Sequence, residues 1–193
     1  MKKNLQKYFI AFISIFFIAF TLNIDAQNQS TNREVKKTNI KYKKARALQA
    51  STAKKMAKVY EALEVVDEKG EPDPDMETVL SILNELRRDM ANLKSYDRSV
   101  MWNAWAFVYF SDGKYEQAMD AYYRLINEPE VTIGLRVGAL LSLAQLHLVQ
   151  ENYKEGIELI LQWMDEVEKV TAQSYSLLGQ AYYQTGDFRK SLT

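Results

Sequence analysis

The 193-residue chain contains no cysteine, one histidine, three prolines and seven glycines. Without cysteine it has no disulfides, no thiolate nucleophile and no lipid-modified cysteine at its N-terminus. A single histidine, His147, leaves no set of His, Asp and Glu ligands at metal-site spacing, and little for nucleophile–base chemistry. No glycine-rich phosphate loop is present. Scarce proline and glycine, together with the absence of alternating β-type runs, predict an all-α chain. Positive and negative charges cancel, with 25 of each. They are segregated all the same: residues 33–58 carry ten Lys/Arg against Glu34, or +9, whereas residues 59–193 sum to −11. A basic arm is joined to an acidic body.

What is present begins with an apolar run. Lys2, Lys3 and Lys7 precede Tyr8 to Leu22, which is uncharged, and Ile24-Asp25-Ala26 then leads into a polar stretch. This is the order of a secretory signal peptide, residues 1–26, cleaved near Ala26. The competing reading is a membrane anchor. Its 17 uncharged residues, Tyr8 to Ile24, lie at the lower edge of a bilayer span, and no basic stop-transfer cluster follows at once. The expectation is an exported protein. Residues 27–41 lack apolar periodicity and are expected to be a flexible basic leader.

From about Tyr42 the chain reads as helices. Leu48, Thr52, Met56, Val59, Leu63 and Val66 recur at three and four, predicting one helix to about Asp67. GEPDPD (Gly70 to Asp75) is expected to end it and to cap a second helix carrying Met76, Val79, Leu80, Leu83, Leu86 and Met90. Three related segments follow: WNAWAFVYFSDGKYEQAMDAYYRL, LLSLAQLHLVQENYKEGIELILQW and YSLLGQAYYQTGDFRKSL. Their turn aromatics Tyr115, Tyr153 and Phe188 lie 38 and 35 residues apart. A helix-turn-helix unit recurring near that period resembles the tetratricopeptide (TPR) repeat. The resemblance implies a right-handed helical solenoid. Residues 42–94 form a degenerate first repeat, 95–131 and 132–170 two complete repeats, and 171–193 an incomplete third. The third breaks off early in its second helix, which implies that further repeats or another chain cover its apolar face.

The repeat spacing assigns side chains to two faces. Trp102, Trp105, Ala106, Tyr109, Ala118 and Tyr122 are expected in the core of the first complete repeat. Leu143, Ala144, His147, Gly156 and Trp163 fill the second, and Leu178, Gly179 and Tyr182 the third. The opposite face of each first helix should line a concave groove. Its residues are Asn103, Phe107 and Phe110, then Leu141, Gln145 and Leu148, then Ser176, Gln180, Tyr183 and Gln184. These are amides, aromatics, aliphatics and one serine, with no charge. TPR domains that grip an acidic C-terminus use Lys, Arg and Asn here, so that specificity is not expected. An extended peptide with apolar anchors suits the surface better.

The acidic run Glu61, Glu64, Asp67, Glu68, Glu71, Asp73, Asp75, Glu77 lacks the calcium-loop pattern and reads as a solvated helix end and turn. No catalytic residue, cofactor or metal is expected, and the protein is read as non-catalytic. The basic stretch 33–58 leaves three readings open: a solvated arm, an arm folded on the acidic body, or contact with an anionic membrane or acidic protein. Nucleic acid is not an expected partner.

Residues 93–188 show a narrower resemblance. The run YDRSVMWNAWAFVYFSDGKYEQAMDAYYRLINEPEVTIGLR, with LLSLAQLHLVQENYKEGIELILQW and SLLGQAYYQTGDF, is similar to periplasmic TPR proteins that accompany TonB–ExbB–ExbD systems in marine gammaproteobacteria. It departs where Val131-Thr132 stands in place of Ile-Pro before Gly134-Leu135-Arg136. The resemblance implies a periplasmic location, TonB-system or other envelope partners, and a role accessory to TonB-dependent uptake. General envelope assembly and a membrane adaptor acting through the arm remain alternatives.

Overall fold

Helix α1, Ala50–Leu63, buries Thr52, Met56, Val59 and Ala62 along one stripe. The computed structural model describes residues 47–191, so the expected signal peptide and leader lie outside the described residues. The helix is shorter than the periodicity suggests. Leu48 precedes it, and Val66 lies beyond it, exposed in an isolated antiparallel bridge with Pro72. Gly70, at φ 81°, therefore serves a reversing loop rather than the helix end. Asp67 builds that loop, its carboxylate accepting from the amides of Lys69 and Glu71 at 2.8 and 2.9 Å. Much of the acidic run thus belongs to loop and cap. Asp75 caps α2, Met76–Arg88, by accepting from the Thr78 amide at 3.0 Å. Val79, Leu83 and Leu86 are buried, while Leu80 is exposed and Met90 falls in a short 3-10 turn, Met90–Asn92.

Five further helices follow: α3 Ser95–Ser111, α4 Tyr115–Ile126, α5 Ile133–Val149, α6 Tyr153–Glu166 and α7 Ala172–Gln184. A single turn of helix, α8 Phe188–Ser191, ends the described chain. The described residues form no strand, so the fold is all-α. Each helix packs on its successor, and α3 also touches α5.

Three connections are chemically the same. Lys114, Asn152 and Asp187 donate their amides to the carbonyls of Tyr109, His147 and Tyr182, while Gly113, Glu151 and Gly186 donate to Phe110, Leu148 and Tyr183. That nested pair is the Schellman helix ending, which requires a left-handed residue just past the helix. The three residues have φ of 71°, 64° and 79°, and only Glu151 carries a side chain there. A second device recurs at 38 residues. Arg98 grips Glu128 with two bonds of 2.8 Å, and Arg136 grips Glu166 at 2.7 and 2.9 Å. Each arginine also donates to a carbonyl, Leu93 in one case and Ile126 in the other. The start of α3 or α5 is thereby tied both to the end of the helix after it and to the backbone just before it.

Candidate partner-binding surface

The core of the repeated region forms where small residues let helices approach. Ala106, Ala118, Ala144 and Gly156 are buried, as are Trp102, Trp105, Tyr122, Leu143, Ile160 and Trp163. A Cβ on Gly156 would stand 2.6 Å from Leu148 Cδ2 and 3.4 Å from the Ala144 carbonyl oxygen, so a side chain there would have to displace Leu148. Tyr109 is half-buried, with its ring stacked on Trp105 at 5.0 Å and its hydroxyl accepting from Arg87 at 3.1 Å. Leu178, Gly179 and Tyr182 are only half-buried, whereas Trp105 and Ala106 on α3 and Leu143 and Ala144 on α5 are buried. Too little chain follows α7 among the described residues to cover them.

His147 is 8% exposed and packs edge-on against Tyr123, with Nε2 3.0 Å from the tyrosine hydroxyl. Its Nδ1 is buried without a partner. Burial holds the ring below its ordinary pKa, and the Glu155 carboxylate offsets this only in part. The geometry is that of a neutral packing residue. Among the described residues, no group of three or more His, Cys, Asp or Glu is placed to hold a metal ion.

The outward rows on α3, α5 and α7 differ along the chain. Asn103, Phe107, Leu141 and Gln145 are half-buried, whereas Ser176, Gln180, Tyr183 and Gln184 are exposed. One residue near the end of each row has a second task. Phe110 tilts against Tyr115 at 5.8 Å, Tyr183 meets Phe188 edge-on at 5.3 Å, and Leu148 covers Gly156. These three side chains therefore pack across their own turns, a constraint that spacing alone does not reveal. None of the ten residues is charged, so the surface offers amide hydrogen bonding and apolar contact.

Two arginines from neighbouring helices gather on the Trp102 side of α3, a cluster that sequence reasoning did not single out. The guanidiniums of Arg87 on α2 and Arg124 on α4 both lie over the Trp102 ring, at 5.8 and 5.1 Å, and Arg87 also lies 5.6 Å from the Trp105 ring. Arg124 is further held by Asp120 at 2.7 Å. Asp97, fully buried in the first turn of α3, accepts from the Gln49 amide at 3.0 Å, while the Gln49 side chain accepts from the Lys94 amide at 3.1 Å. The chain just before α1 is thereby tied to the start of α3. For the arginine clamps a signal was available, since Arg98 and Arg136, like Glu128 and Glu166, stand 38 residues apart. No described helix is long and apolar enough to cross a membrane.

Comparison with protein-family models and with curated proteins finds no match for this chain.

Proposed function

We propose that the protein is a non-catalytic interaction scaffold of the TPR type, whose outward rows on α3, α5 and α7 hold an extended segment of a partner protein. The observation that carries this reading is the recurrence of one unit. Helix, Schellman turn and helix repeat with equivalent backbone bonds at Tyr109–Lys114, His147–Asn152 and Tyr182–Asp187. Stacking such units leaves a continuous face of first helices, and binding of other proteins is the usual use of that face. The uncharged character of the ten row residues favours a partner segment with apolar anchors and accessible backbone groups.

The finer reading rests on sequence resemblance. It makes the protein exported and periplasmic after cleavage near Ala26, and accessory to TonB-dependent uptake. A photocrosslinking residue at Gln180 or Phe107 should trap an envelope partner in cells, and the same residue at exposed Gln162, on α6, should not. Equal trapping at both positions would remove the groove reading. Recovery of partners that include no TonB-system component or TonB-dependent receptor would remove the TonB assignment and favour general envelope assembly. Gln180→Ala is expected to leave stability nearly unchanged, because the residue is exposed, and to weaken the crosslink made from position 107.

A further inference from the structure

Helix α1 has two faces of opposite character. Thr52, Met56, Val59 and Ala62 are buried, which turns Lys54 and Lys58, one helical turn apart, to the outside. Between α1 and α2 lies an open depression of about 320 Å³, lined by Ser51, Lys54, Lys55, Lys58, Ile82 and Glu85. The one acid in this lining is already engaged, since Lys55 Nζ sits 3.0 Å from Glu85. Lys54 and Lys58 have no acidic partner among the described residues. The depression is therefore basic, with an apolar floor at Ile82.

We infer that this face of α1 is a docking surface for the anionic headgroups of a phospholipid bilayer. The charge distribution supports that occupant. The face closes the +9 stretch 33–58, and everything after it sums to −11, so an anionic plane attracts one end of the chain and repels the other. The chemistry of the cations points the same way. Eight of the ten basic residues in that stretch are lysines, compact charges on flexible stems. Lysines follow a diffuse layer of phosphates well but lack the fork with which arginine grips a defined carboxylate. This inference is independent of the scaffold reading, because it uses α1 and not the rows on α3, α5 and α7.

The test is sedimentation of the full chain with vesicles of phosphatidylcholine alone and of phosphatidylcholine mixed with phosphatidylglycerol, at low and high salt. Any insertion by the apolar run Tyr8 to Leu22 is shared by every arm and insensitive to salt, so the difference between vesicles reads charge alone. Binding to the mixed vesicles should be stronger and should fall with salt. Each basic residue near such a surface contributes about fivefold, so Lys54→Gln with Lys58→Gln should weaken that binding roughly twenty-five-fold. Both side chains are exposed, and an unchanged thermal unfolding curve would show that the fold persists. Equal binding of the double variant, with the fold intact, would overturn the inference. So would failure on mixed vesicles combined with lysine-dependent binding of a polyglutamate peptide, which would assign the face to an acidic protein instead.

Discussion

Glu166 closes on Arg136 through two parallel hydrogen bonds of 2.7 and 2.9 Å, and the same arginine donates to the Ile126 carbonyl. One side chain therefore ties α5 to the end of α6 and to the end of α4. Arg136→Met keeps much of the side-chain volume but strands a half-buried carboxylate and a carbonyl. It is expected to cost about 2–3 kcal/mol in chemical denaturation. A double-mutant cycle with Glu166→Gln should return a coupling of about 1 kcal/mol or more, and independent effects would show that the clamp is ornamental.

Acid should erode the stability of the protein in two stages. The His147 ring is depressed below its ordinary value near 6.5 by burial, with Glu155 opposing. The unfolded chain thus takes up that proton first, so this contribution is complete above about pH 6.5 and is lost as pH falls through the lower, folded value. His147→Leu should flatten stability as pH falls below about 6.5, and a slope there equal to that of the parent would contradict the burial argument.

Glu166 contributes to the lower stage, together with Asp75 and Asp187, whose carboxyls are held below their ordinary range by hydrogen bonds from Thr78 and Lys190. Burial pushes the Glu166 carboxyl up, but hydrogen bonds from Arg136 and Gln162, with the Arg136 charge, outweigh this and hold it below its ordinary 4.5. Its contribution is complete above that value and is lost as pH falls through the folded one. Arg136→Met should remove Glu166's share of this stage while leaving the His147 stage in place.

Glu151 occupies a left-handed position that glycine fills in the two sister turns. Glu151→Gly is expected to stabilise the fold by about 0.5–1 kcal/mol by relieving steric strain, although glycine also loosens the unfolded chain. Gly113→Ala should shift the melting temperature the other way. A destabilising Glu151→Gly would mean that its side chain does something at the turn that the backbone geometry does not reveal.

At Gly156 the close approach of α5 and α6 can be probed by size. Gly156→Leu is expected to cost about 2–3 kcal/mol, because the new side chain meets Leu148 and the Ala144 carbonyl. Leu148→Ala in the same chain should restore a good part of that loss. Additive damage instead of rescue would place the clash elsewhere.

Much of the helical order could be read from spacing. The stripe Thr52, Met56, Val59 marks α1, Asp75 marks the start of α2, and Gly113 and Gly186 mark two turns. These are short-range effects, set within three or four residues. The end of α1 could not be read this way, because Leu63 and Val66 continue the apolar rhythm while the loop built by Asp67 and Pro72 competes for the backbone. Of the candidate surface, the rows on α3, α5 and α7 followed from register. The turn-packing tasks of Phe110, Leu148 and Tyr183 did not.

By itself, then, the sequence determined the helical class, the period of the repeated unit and the separation of basic from acidic halves. All three depend on residue type and local spacing. Only the tertiary structure decided that Arg87 and Arg124 share the Trp102 ring, that Gln49 is held by Asp97, and that Lys54 and Lys58 flank one basic depression between α1 and α2. Those pairings join positions far apart in the chain, and their energies depend on distance and burial, which a linear order of residues does not contain.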